Sequence, residues 1–77
     1  MNASTIYRST WSVNGGATFD AYEGRSHNNV LHRTRRLFSG QGYRVVKEES
    51  RTGHVVLSNG VNRAVIDIRA ERPEETR

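Results

Sequence analysis

The chain has 77 residues, no cysteine, and 12 Lys or Arg against 8 Asp or Glu, for a formal net charge of +4. A domain of this size buries only about 60% of its unfolded surface, which excludes a large catalytic cleft beside a separate core. The lack of cysteine excludes a disulfide framework and a thiolate metal centre, and nowhere do about 18 consecutive apolar residues offer a membrane-spanning helix.

The first predicted element is a β-hairpin. Tyr7, Ser9, Trp11 and Val13 alternate with Arg8, Thr10 and Ser12, the period of a half-buried strand, and Asn14, Gly15 and Gly16 turn the chain. A three-residue loop with Gly16 in the left-handed position opposes Val13 to Ala17, Trp11 to Phe19 and Ser9 to Ala21. A two-residue loop would throw Phe19 onto the polar face, so apolar matching favours the longer one.

A helix is expected from His27 to Phe38, with Ser26 as its cap and Gly40 in the left-handed position past its end. Val30, Leu31, Thr34, Leu37 and Phe38 fall on one side at helical spacing, while Asn29, His32 and Arg36 lie opposite and Arg33 and Arg35 flank the stripe. Gly40-Gln41-Gly42 lacks the residues that complete a dinucleotide or P-loop fingerprint and reads as a helix-to-strand connection.

The remainder reads as a meander with strands from Tyr43 to Glu48, His54 to Ser58 and Val61 to Arg69, joined by Ser50–Gly53 and a two-residue turn at Asn59-Gly60. That turn opposes Val55 to Ala64 and Leu57 to Asn62. The tail from Glu71 to Arg77 has no apolar period and is expected to be a charged, flexible extension of a single domain over residues 1–70.

The fold class that follows is α+β, two-layer, in the order β-β-α-β-β-β, with one amphipathic helix on one face of an antiparallel sheet. The expected core is Trp11, Phe19, Val30, Leu31, Leu37, Phe38, Tyr43, Val45, Val55, Leu57, Ile66 and Ile68. By alternation the open sheet face carries Arg8, Tyr22, Arg44, Val46, His54, Val56, Arg63, Val65 and Arg69. Arginines around valines and a tyrosine make that face a candidate surface for a homodimer.

Charge is the clearest functional signal. From Gly24 to Lys47 there is no Asp or Glu, yet the stretch holds Arg25, Arg33, Arg35, Arg36, Arg44 and Lys47. Segregation of this kind concentrates positive potential and attracts polyanions or acidic protein surfaces. Guanidinium forks bind phosphate and carboxylate bidentately, and Tyr22 and Tyr43 are candidates to stack on an exposed base.

Catalysis finds no such support. His27, His32 and His54 lack zinc-like spacing, no serine sits in a G-x-S-x-G elbow, and of the carboxylates Asp20, Glu23, Glu48 and Asp67 that could gather round a divalent ion, Asp20, Glu48 and Asp67 are surface positions on different strands. No metal, cofactor or enzymatic activity is expected. The reading is a small cytoplasmic, non-enzymatic basic binding protein, without a membrane partner, whose Arg-rich helix meets nucleic acid or a nucleoprotein complex. The alternative is a phage or mobile-element inhibitor or adaptor that docks on an acidic surface of a host defence or regulatory complex.

Overall fold

Two strands from opposite ends of the chain form the middle of the sheet. The computed structural model describes residues 5–71 and contains β1 (Ile6–Val13), β2 (Phe19–Gly24), α1 (His27–Arg36), β3 (Arg44–Val45), a 3₁₀ turn (Lys47–Glu49), β4 (His54–Ser58) and β5 (Arg63–Glu71). The five strands make one antiparallel sheet in the order β2-β1-β5-β4-β3, with α1 packed over one face, so the fold is the α+β arrangement expected. The pairing of β1 with β5 runs from Ile6 opposite Glu71 to Val13 opposite Ala64. Glu71 therefore belongs to the sheet rather than to a tail, and the rest of the expected tail, residues 72–77, lies outside the described residues.

The β1–β2 hairpin has the apolar register the sequence demands, with Trp11 opposite Phe19 and Thr10 opposite Asp20. Its left-handed residues are Asn14 (φ 53°) and Gly15 (φ 72°), not Gly16. Asparagine tolerates that conformation because its short amide finds local partners. Here Asn14 Oδ1 accepts from the Arg63 N–H at 2.9 Å and its Nδ2 donates to Asn62 Oδ1 at 2.8 Å, which fastens the hairpin turn to the loop before β5. Further along, the register moves from Thr10–Asp20 to Arg8–Glu23, so Ala21 and Tyr22 together oppose Ser9. This is a β-bulge, and bulges bend and twist the strand that carries them.

The bulge has a buried polar partner on the helix. Ser9 and Thr34 are 1% and 0% exposed, and their hydroxyl oxygens are 2.6 Å apart. Ser9 Oγ accepts from the Tyr22 N–H at 3.1 Å and has the Tyr22 carbonyl at 3.4 Å, while Thr34 Oγ1 has the Val30 carbonyl at 2.7 Å, so the single proton of each hydroxyl always finds an acceptor within the relay.

Helix α1 starts as expected, its Ser26 Oγ accepting from the Asn29 N–H at 3.2 Å. It ends at Arg36, two positions before the expected Phe38. The N–H groups of Leu37, Phe38 and Ser39 donate to carbonyls three residues back, so the chain tightens into 3₁₀ turns. That tightening leaves Leu37 41% exposed while Phe38 is buried. Gly40 (φ 81°) and Gly42 (φ 80°) then reverse the chain into β3.

The strand expected from Tyr43 to Glu48 is reduced to Arg44–Val45. After Val46, whose N–H donates to the Val56 carbonyl at 2.8 Å, the chain leaves the sheet through the 3₁₀ turn. Ser50 Oγ takes over the ladder, accepting from the Val56 N–H at 3.0 Å and donating to the Val46 carbonyl at 2.8 Å. A side chain thus does what a longer strand would have done. Val56, which alternation places on the face away from α1, is accordingly only 4% exposed.

Between β4 and β5 the expected two-residue turn is replaced by Asn59–Asn62. Asn59 Oδ1 accepts from the N–H groups of Val61 (3.0 Å) and Asn62 (2.7 Å), an Asx turn. Leu57 consequently faces Ala64 and Val55 faces Ile66. A shift by two residues conserves side-chain direction, so Val55, Leu57, Ala64, Ile66 and Ile68 remain on the helix side as the alternation required.

The buried centre comprises Val30, Phe38, Leu57, Ala64, Ile66 and Ile68, flanked by half-buried Tyr7, Trp11, Val13, Leu31, Tyr43, Val45 and Val55. Phe19, expected inside, is 50% exposed. It sits on edge strand β2 and stacks on Trp11 with ring centroids 4.7 Å apart, beyond the reach of the ten-residue helix.

Thr34→Val is nearly isosteric and removes the hydroxyl. It is expected to lower unfolding free energy by about 1–3 kcal/mol in urea titrations, and Ser9→Ala by a similar amount. The double variant should lose less than the sum, because the two groups belong to one relay. Strictly additive losses would show that the hydroxyls act independently.

Candidate functional site

The six cations of the acid-free segment occupy three places. Arg33, Arg35 and Arg36 lie in the last turn of α1, where positive charge complements the helix dipole. Arg25 precedes the cap at the other end of a helix about 15 Å long. Arg44, paired with Ser58 in β3, shares the sheet face opposite α1, and Lys47 opens the 3₁₀ turn beyond it. All six are exposed, and among the described residues none forms an ion pair.

Ion pairs of Arg8 and Arg63 and one histidine–carboxylate hydrogen bond lie on the open sheet face. Arg8 contacts Glu23 at 3.3 Å and Glu71 at 3.0 Å, His54 Nδ1 meets Asp67 Oδ1 at 2.6 Å, and Arg63 pairs with Glu49. The last pair reaches from the 3₁₀ turn across β4 to β5. This face, read from the sequence as a candidate dimer surface, is charge-compensated in part: Arg8 and Arg63 are engaged by carboxylates and Val56 is covered, while Arg44 and Arg69 are exposed and form no ion pair among the described residues. Tyr22 lies in the bulge and Val46 at the exit from β3, so neither extends a regular strand surface.

A cleft of about 450 Å³ opens between the last turns of α1 and the loop that follows. His32, Arg35 and Arg36 line it from the helix, Tyr43 and the buried ring of Phe38 from its aromatic side, and Gly40 and Gly42 from the loop. Phe38 is wedged edge-on between Trp11, at a centroid distance of 5.7 Å, and Tyr43, at 5.2 Å. The loop is pinned from both sides. Gln41 Nε2 donates to the Leu37 carbonyl and Asn59 Nδ2 to the Gln41 carbonyl, each at 3.2 Å.

Arg35, Arg36 and Tyr43 had each been singled out by sequence, but only the 3₁₀ turns bring them to one cleft. His32 was not recognised as a member. The signal was present, since His32 precedes Arg36 by four residues and such pairs share a helix face. The other two histidines lie elsewhere: His54 on Asp67, and His27 edge-on to Tyr7 at 5.4 Å with its buried Nε2 lacking a hydrogen-bond partner. Among the described residues no group of three or more His, Asp or Glu side chains is arranged to hold a metal ion, and no helix is long and apolar enough to cross a membrane.

Comparison with protein-family models, with curated proteins and with solved structures finds no match for this chain.

Because Arg33 and Arg36 are exposed and, among the described residues, unpaired, the double variant Arg33→Glu, Arg36→Glu should retain its circular dichroism spectrum and lose no more than about 2 kcal/mol, the cost of opposing the dipole at two positions. Unfolding would show that these side chains support the fold. His27→Phe keeps an aromatic ring against Tyr7 and removes an unpartnered buried nitrogen. It is expected to raise stability by about 1 kcal/mol in thermal melts, and a fall would mean that the nitrogen is served in solution.

Proposed function

We propose that this domain is a non-enzymatic nucleic-acid-binding module that holds phosphates through the arginines of α1. The observation that carries the reading is the division of charge: carboxylates engage Arg8, Arg63 and His54 on the open face, while Arg33, Arg35 and Arg36 stand together, exposed and, among the described residues, unpaired. Unpaired guanidinium groups need no internal partner to be displaced before they bind phosphate in fork geometry. Arg25, Arg44 and Lys47 widen the positive field around that centre and favour capture of a polyanion. Phosphate contact of this kind positions a strand without reading its sequence.

The test is the affinity of the purified chain for mixed-sequence RNA and for duplex DNA across a salt series. The logarithm of the affinity is expected to fall linearly with the logarithm of salt concentration, with a slope of about 0.7–0.9 per phosphate engaged. Arg33→Gln should reduce the magnitude of that slope by about one contact. If neither nucleic acid binds at physiological salt, the reading fails and the arginines face an acidic protein surface instead. In that case alanine scanning should find a few dominant hot spots instead of a graded decline with charge.

A further inference from the structure

We infer that the cleft beside the C-terminal turn of α1 receives one unpaired nucleotide, with its base against Tyr43 and its phosphate between Arg35 and Arg36, so that the domain prefers single strands to duplexes. The inference rests on the nucleic-acid reading above and adds the form of nucleic acid and the place where it is held.

The cleft combines the two chemistries that an unpaired nucleotide presents. Half-buried Tyr43 offers aromatic surface, backed by the buried ring of Phe38, and His32, Arg35 and Arg36 offer donors on the same opening. Proteins that hold single strands use this combination, stacking bases on aromatic rings while cations follow the backbone. The volume of about 450 Å³ falls within the roughly 300–1,000 Å³ of small-molecule sites. At Gly40 the lining borders open space, since a Cβ built there would meet no atom within 4 Å.

Electrostatics at this end of the helix must be weighed. The C-terminus of α1 carries about half a negative charge, which opposes a phosphate. Arg35 and Arg36 bring two full positive charges to the cleft, and Arg33 adds a third nearby, so attraction prevails.

Tyr22, the other stacking candidate, is in a different situation. It shares its concavity at the bulge with Asp20, Glu23 and Arg8, and Arg8 is already bound to carboxylates. A phosphate there would meet two acids, which singles out Tyr43. A duplex keeps its bases stacked inside and presents no ring to the cleft.

The experiment compares a fluorescein-labelled oligouridylate, the same strand annealed to oligoadenylate, and uridine 5′-monophosphate followed by amide chemical shifts of the full chain. The single strand should bind at least roughly tenfold more tightly than the duplex, and the mononucleotide should shift amides in residues 38–43. Tyr43→Leu should weaken single-strand binding roughly tenfold, the order expected for one lost stack, with little change for the duplex. Because Tyr43 also touches the core, Arg35→Gln and Arg36→Gln provide an independent arm: both should abolish the mononucleotide shifts, whereas Arg69→Gln, an exposed cation outside the cleft, should not. Equal affinity for strand and duplex with no mononucleotide shifts overturns the cleft assignment and leaves the phosphate-binding reading standing. Failure of both nucleic acids to bind overturns both.

Discussion

The helix is held to its sheet by a hydroxyl relay, and the rest of the molecule is arranged around it. Ser9 lies where two residues of β2 oppose one of β1, and its oxygen is committed on one side to Tyr22 and on the other to Thr34. An apolar contact tolerates some sliding, whereas a buried hydrogen-bond network is costly unless every member meets its partner. The relay therefore fixes the rotation and height of α1 as well as its attachment. Successive helical residues are about 100° apart, so with Thr34 turned inward, Arg33, Arg35 and Arg36 are turned towards solvent. The exposed cationic surface is thus the geometric complement of a buried threonine.

Legibility in the sequence followed the range of the interaction. Ser26, the apolar stripe from Val30 to Phe38 and the matching of Trp11 to Phe19 are local signals, and they located the helix start and the hairpin register. The short β3 was hidden because Ser50 reaches Val56 across a turn, and no alternation in Tyr43–Glu48 announces that a serine will replace the ladder. Asn59-Gly60 supports either a two-residue hairpin turn or an Asx turn. The longer loop was chosen by the register of β5 on β1, which is set at the far end of the chain. Phe19 and Leu37 show the remaining gap: periodicity assigns a side chain to a face but does not say whether a neighbour covers that part of it.

The candidate site was legible to the same degree. Absence of acids from Gly24 to Lys47 identified the cations, because charge can be counted without coordinates. Their division into three places could not be counted, since it depends on how β3 returns beside the helix. The cleft required still more: 3₁₀ turns that bury Phe38, and two glycines with positive φ that bring Tyr43 back towards Arg35 and Arg36. The open face reveals the reciprocal arrangement, with Glu23, Glu49, Asp67 and Glu71 drawn into ion pairs away from the helix. Those carboxylates are thus engaged on the sheet side, and the cations at the end of the helix keep their charge.

The central pairing of β1 with β5 also dictates when this protein can exist as a folded object. During synthesis the hairpin and α1 emerge first, but β1 keeps an open edge until Arg63–Glu71 arrives to fill it. Ile66 and Ile68, which complete the core beneath the helix, are likewise contributed by β5. Contacts so distant in sequence must overcome their loop-closure entropy together, which delays and sharpens the folding transition. A ten-residue helix is marginal by itself in water, so α1 gains its order together with the sheet, when β5 closes the edge of β1 and places Ile66 and Ile68 beneath it.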